Sequence, residues 1–115
     1  VTTKPVIPRA IARRDVEQAI DHYLAIADSS VALNLIDGLE RAYAQISSYP
    51  ASGSPRFSFE LGIPDLRHMR IKGFPYLIFY VELASHIDIW RVLHTKRDIP
   101  AWIPAWLDDP DSREQ

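Results

Sequence analysis

The sequence predicts an α+β domain. An N-terminal edge strand and an antiparallel helical hairpin pack on a three- to four-stranded antiparallel sheet. Three observations carry this expectation. Residues 9–27 and 31–49 place apolar side chains at spacings of three and four, the period of an amphipathic helix. Residues 66–98 hold three runs of strand length, rich in β-branched and aromatic side chains. The breaks between those runs are too short for a crossover helix, so the strands must meander antiparallel.

The elements follow in chain order. Val6-Ile7 lies between Pro5 and Pro8, and proline within a sheet is confined to edges, which makes this pair an edge strand. In the first helix Ala12, Val16, Ala19 or Ile20, Tyr23 and Ala27 form the apolar stripe. Arg13, Arg14, Glu17, Gln18 and Asp21 fill the solvated side. Asp28-Ser29-Ser30 breaks the pattern, with Ser30 as the expected N-cap of the second helix. There Ala32, Leu35, Ile36, Leu39, Ala42, Tyr43 and Ile46 give a broad apolar face, and Pro50 ends the helix. A link this short makes the two helices an antiparallel hairpin. Residues 51–64 read as loop, with Phe57-Ser58-Phe59-Glu60-Leu61 as a short strand or an anchored loop.

The three sheet runs are 67–71, 75–81 and 87–94, punctuated by Gly73 and Pro75 and then by the turn at 83–86. The second run should be central, because both of its faces are apolar: Leu77, Phe79 and Val81 on one, Tyr76, Ile78 and Tyr80 on the other. Two helices cover only one face of such a sheet, so the other needs a further cover. After Asp98 the sequence repeats Ile-Pro-Ala-Trp twice, over 99–106, which excludes a regular helix or central strand there. Residues 1–107 are expected to form one domain, with 108–115 a frayed polar tail.

Composition excludes several classes of function. The chain has 115 residues, 47% hydrophobic and 24% charged, which is ordinary globular usage. A net charge of -2 gives no reason to expect sequence-specific nucleic-acid binding. Cysteine is absent, so disulfides and thiolate chemistry are excluded. No apolar run is long enough to span a membrane and the first residues lack a signal-peptide core, so a cytoplasmic protein is expected. His22, His68, His86 and His94 include no i,i+4 pair with a carboxylate on a predicted helix, and no glycine-rich phosphate loop or GxSxG occurs. Neither a metal nor a cofactor is expected.

One cluster is both basic and aromatic: Arg67, Arg70, Lys72, Tyr80, Arg91, His94, Lys96 and Arg97. Strand alternation puts Arg67 with Met69 on one face and His68 with Arg70 on the other. Such groups grip phosphate through charge-assisted bonds or supply acid–base catalysis for RNA cleavage. They serve equally to tie a strand end down, with Arg97 and Asp98 paired and His94 capping the sheet. Spacing alone favours this structural role.

An ordered series of short motifs resembles the ParE-type toxins of the RelE/ParE superfamily. It consists of Ala12-x-x-Asp15-Val16-Glu17, Tyr49-Pro50 with Gly53, Leu66-Arg67, Tyr76-Leu77-Ile78-Phe79-Tyr80, and Arg91-Val92-Leu93-His94-x-x-Arg97-Asp98. The resemblance covers roughly residues 7–98. It implies a small toxin with the fold outlined above and a cognate antitoxin that neutralises it. ParE-like members are associated with poisoning DNA gyrase without catalysis of their own, whereas RelE-like members cleave mRNA on the ribosome. Arg67 and His94 occupy positions shared by both branches. After Asp98 this sequence has no Tyr, His or Lys, and only Arg113 is basic, which departs from the RNA-cleaving pattern.

The resemblance therefore implies a gyrase-binding toxin with no catalytic residues. Arg67, Arg70, Tyr80, Arg91, His94, Arg97, Trp102 and Trp106 are its candidate contacts to target or antitoxin. An mRNA endonuclease or an inactive, antitoxin-binding homologue are the alternatives. The uncovered sheet face is expected to receive the antitoxin rather than the Trp102 and Trp106 tail or a second copy.

Overall fold

The computed structural model describes residues 3–96, so Arg97, Asp98, Trp102 and Trp106 lie outside the described residues. Strand β1 (Val6–Pro8) leads into helices α1 (Ala10–Ile26) and α2 (Ser29–Ser48). A 3₁₀ turn (Pro50–Ser52) and a short helix α3 (Arg56–Leu61) come next. Strands β2 (Leu66–Arg70), β3 (Tyr76–Glu82) and β4 (Ile87–His94) complete the order. The four strands form one sheet in the order β1-β4-β3-β2. The β2–β3 and β3–β4 pairs are antiparallel, as expected, and β1 adds parallel to β4 along Val6–Ile87 to Pro8–Ile89.

The helical hairpin covers one face. Helix α2 buries Ala32, Leu35, Leu39, Ala42 and Ile46, and α1 buries Ala12, Asp15 and Ala19. Against them β3 and β4 present Tyr76, Ile78, Tyr80, Ile87, Ile89 and Val92. The turn between the helices differs from expectation in its cap. Asp28, not Ser30, is the N-cap of α2: its carboxylate accepts from the Ser30 and Val31 amides at 2.9 and 3.2 Å. A carboxylate reaches two amides and complements the positive helix end, so it outcompetes a serine two residues on. Those bonds hold the Asp28 carboxyl below its usual range, the Ser30 side chain contributing most.

The opposite face departs further. The segment around Phe57 is a short helix, neither a strand nor a loop, closed by Gly62 in the left-handed region at φ 64°. It lays Phe57 against Phe79 and His68, ring centroids 5.6 and 5.1 Å apart. Phe57, Leu66, Phe79, Val81 and Leu93 thereby form a second core. The far face of the sheet is thus partly covered by the chain itself.

Two features fix how β4 meets α1. A bulge shifts the β3–β4 register, so that Tyr80 pairs with Ile89 but Phe79 with Arg91. After it Val92, rather than Arg91, joins Ile87 and Ile89 against the helices. Strand β1 ends at Pro8, and the Arg9 amide makes the last bond of that ladder, to the Ile89 carbonyl at 3.0 Å. Farther along the same edge the Val92 N–H has no strand opposite it among the described residues. It donates to the Asp15 carboxylate of α1 at 3.0 Å, and the same carboxylate takes Arg91 Nε and Nη2 at 2.7 and 2.9 Å.

Both ends of this pair are buried, with side-chain exposures of 10% for Arg91 and 8% for Asp15. Removing one partner of a buried ion pair typically costs about 3–5 kcal/mol, because the other charge stays desolvated. Asp15→Ala is therefore expected to lose about that much stability in urea denaturation. Adding Arg91→Met should recover part of the loss.

Candidate functional site

The residues singled out by sequence divide into those that hold the fold and those that reach the surface. Tyr80 is fully buried. Its hydroxyl donates to the Pro50 carbonyl at 2.6 Å and accepts the Gly53 amide at 3.0 Å. Burial pushes the phenol up, with the Gly53 bond opposing it. Arg67, opposite Tyr80 in the β2–β3 pairing, reaches the same loop: its Nη1 donates to the carbonyls of Gly53 and Ala51 at 2.8 and 3.2 Å. Together they staple the loop after α2 to the sheet. No room remains for a side chain at Gly53, where a Cβ would lie 2.3 Å from the Tyr80 hydroxyl and 2.9 Å from the His68 carbonyl.

Arg91 is committed to Asp15. His94, at the end of β4, sets its ring edge-on to Tyr76 at 5.2 Å, and its Nδ1 accepts the Lys96 amide at 3.0 Å. His94 also borders a concavity of about 270 Å³ shared with Asp15, Gln18, His22 and Tyr76. Among the described residues no group of three or more His, Asp or Glu side chains is placed to hold a metal ion.

A second buried ion pair was not foreseen. Arg9 Nε and Nη2 donate to the two oxygens of Asp88 at 3.1 and 2.8 Å, and Trp90 Nε1 adds a bond to Asp88 at 3.0 Å. The Arg9 guanidinium lies 4.5 Å from the Trp90 ring centre, a cation–π contact. Its Nη1 finds no hydrogen-bond partner among the described residues. This pair anchors the start of α1 to the early part of β4, as Asp15 and Arg91 anchor its second turn to the later part.

Arg70 alone of the described candidates stands clear in solvent, beside a groove of about 610 Å³ between α2 and β2. Arg41 and Lys72 join it there, with Asp37 as the one carboxylate and Met69 and Phe74 as apolar lining. The basic cluster read from the sequence includes Lys72 but not Arg41, which lies on the exposed side of α2. The available signal was Gly38, a helix-interior glycine one turn before Ala42. A Cβ there would meet Ile71 Cγ2 at 2.9 Å, so α2 approaches the exit of β2 closely at that point.

The family model for the ParE toxin of type II toxin–antitoxin systems matches residues 6–99. The chain belongs to this family of toxins. Among solved structures, the chromosomal ParDE toxin–antitoxin system of P. aeruginosa matches with a TM-score of 0.68. That match is 16% identical in sequence and covers 82% of this chain and 98% of the other, so it speaks to the fold. No curated protein matches the sequence. Among the described residues no helix is long and apolar enough to cross a membrane.

Two outcomes test these placements. Tyr80→Phe strands the Pro50 carbonyl and the Gly53 amide, and an unsatisfied buried group costs about 1–3 kcal/mol. Gly53→Ala forces the same contact apart sterically, at a similar cost of about 1–3 kcal/mol. Both losses should appear as lowered denaturation midpoints.

His68 gives a pH-dependent outcome. Burial, with the Arg56 guanidinium adding to it, lowers its pKa below the ordinary 6.5. The unfolded chain then binds a proton that the folded chain refuses. Stability from this source is complete above about 6.5 and is lost as pH falls through the lower folded value. His68→Phe should flatten that part of a melting-temperature profile taken from neutral to mildly acid pH.

Proposed function

We infer that this toxin-family chain acts by binding DNA gyrase and stalling replication in the cytoplasm, and that a cognate antitoxin neutralises it. The observation that carries the reading is the family match over residues 6–99, which spans every described element of the fold. The placement of the cations supports it. Cleaving RNA asks for an acid, a base and a cation converging on one phosphate. Arg67 is bonded to the carbonyls of its own loop, Arg91 to Asp15, and His94 Nδ1 to the Lys96 amide. Binding asks for a rigid frame and exposed contacts, and Arg70 with the groove beside it offers these; Trp102 and Trp106 remain proposed anchors.

Expression of the chain alone is expected to induce the SOS response. The purified protein is expected to inhibit gyrase supercoiling and to leave ribosome-bound mRNA intact, and a co-expressed antitoxin should restore growth. Arg67→Ala should lower toxicity together with melting temperature, because it frees the loop at Gly53. Codon-specific mRNA cleavage by the parent chain, abolished by His94→Ala with the circular dichroism spectrum unchanged, would overturn the reading.

A further inference from the structure

The groove between α2 and the outer edge of β2 has the chemistry of a docking surface for an acidic, extended segment. Its three cations, Arg41, Arg70 and Lys72, face one carboxylate, Asp37. All four are exposed, and among the described residues no ion pair engages any of the three cations. The strand beside them is open. Among the described residues β2 is the outermost strand, and only its His68 is bridged on the outer side, exchanging two backbone bonds with Ser54 at 2.9 and 3.0 Å. Strand alternation points the backbone N–H and C=O of Arg70 the same way, and no described residue pairs with them. An open strand edge takes a further extended chain readily.

We propose that the occupant is the chain's own segment 108–115, Asp-Asp-Pro-Asp-Ser-Arg-Glu-Gln, seated with its carboxylates toward Arg41, Arg70 and Lys72. The charge fits: the segment carries four carboxylate side chains against one guanidinium. The reach also fits. The Thr95 amide bonds to the Pro75 carbonyl at 2.7 Å, so the chain leaves β4 beside the β2–β3 connection that brings Phe74 to the groove. From β4 past β3 and β2 to a chain seated on the outside of β2 is three strand spacings, about 14 Å. The intervening residues 97–107 span up to about 36 Å when extended. Docked there, the segment shields the open edge of β2, and any other ligand of the groove must displace it. This consequence holds whichever target the toxin has.

The chain has no cysteine, so Ser112→Cys accepts a single spin label. At low salt the label is expected to broaden the amide signals of Asp37, Arg41, Arg70 and Lys72 several-fold relative to the reduced, diamagnetic sample. The effect should persist on tenfold dilution and fade at high salt, where charge attraction is screened. Asp108→Asn, Asp109→Asn, Asp111→Asn and Glu114→Gln together, carrying the same label, should lose the broadening without touching any described residue. Three results would each overturn the proposal: no broadening at the groove in the labelled parent chain, broadening that disappears on dilution, or broadening undiminished in the charge-neutral variant.

Discussion

The Asp15 carboxylate stands where a strand would otherwise be. β1 is three residues long and, among the described residues, leaves the later part of β4 without a neighbouring strand on that side. An exposed edge there would leave the Val92 amide unsatisfied next to the core, and a buried unpaired amide is costly. Helix α1 closes the gap with one acidic side chain that takes both this amide and the Arg91 guanidinium. The charge lies close to other core groups as well. Tyr43, at the α1–α2 interface, has its phenol pushed up to about 12, first by burial and then by this carboxylate. The Arg9–Asp88 pair repeats the device at the head of the same helix. α1 is therefore held to β4 by two ion pairs, and the small residues Ala12 and Ala19 let it approach closely enough for both.

That arrangement decides which basic residues remain for a partner. A buried guanidinium needs its carboxylate, so Arg9 and Arg91 belong to the architecture. Arg67 and Tyr80 are spent on the loop after α2, the stretch where Gly53 permits close contact. Arg41, Arg70 and Lys72 stay exposed together at the α2–β2 groove. The fold thus commits one set of polar groups to fixing α1 and the loop, and leaves these three cations exposed beside the open edge of β2.

Much of this frame was legible in the sequence, for a physical reason. β3 has two apolar faces of period two, and the faces observed are those read from Tyr76 to Val81. Both long helices follow their apolar stripes to within two residues at each end. Other features carry no local signal. Phe57 and Phe59 mimic strand alternation in a segment too short to show a helical period. In the folded chain Phe57 is buried and Phe59 is 83% exposed. The bulge in β4 swaps which of Arg91 and Val92 faces the helices, and no residue type announces it. Arg91 looks like a surface contact because its partner lies 76 positions away. The family motif Ala12-x-x-Asp15 contained that partner without revealing what it pairs with.

Amide hydrogen exchange at Val92 tests the central claim most directly. A side-chain carboxylate that truly replaces a strand should protect this amide to the level of the β3–β4 ladder, so that it exchanges only with global unfolding. In Asp15→Asn that protection should drop while the inward-facing amides of β4 keep theirs relative to global stability. Val92 exchanging in the parent chain at the rate of an open strand edge, with the rest of β4 protected, would contradict the account.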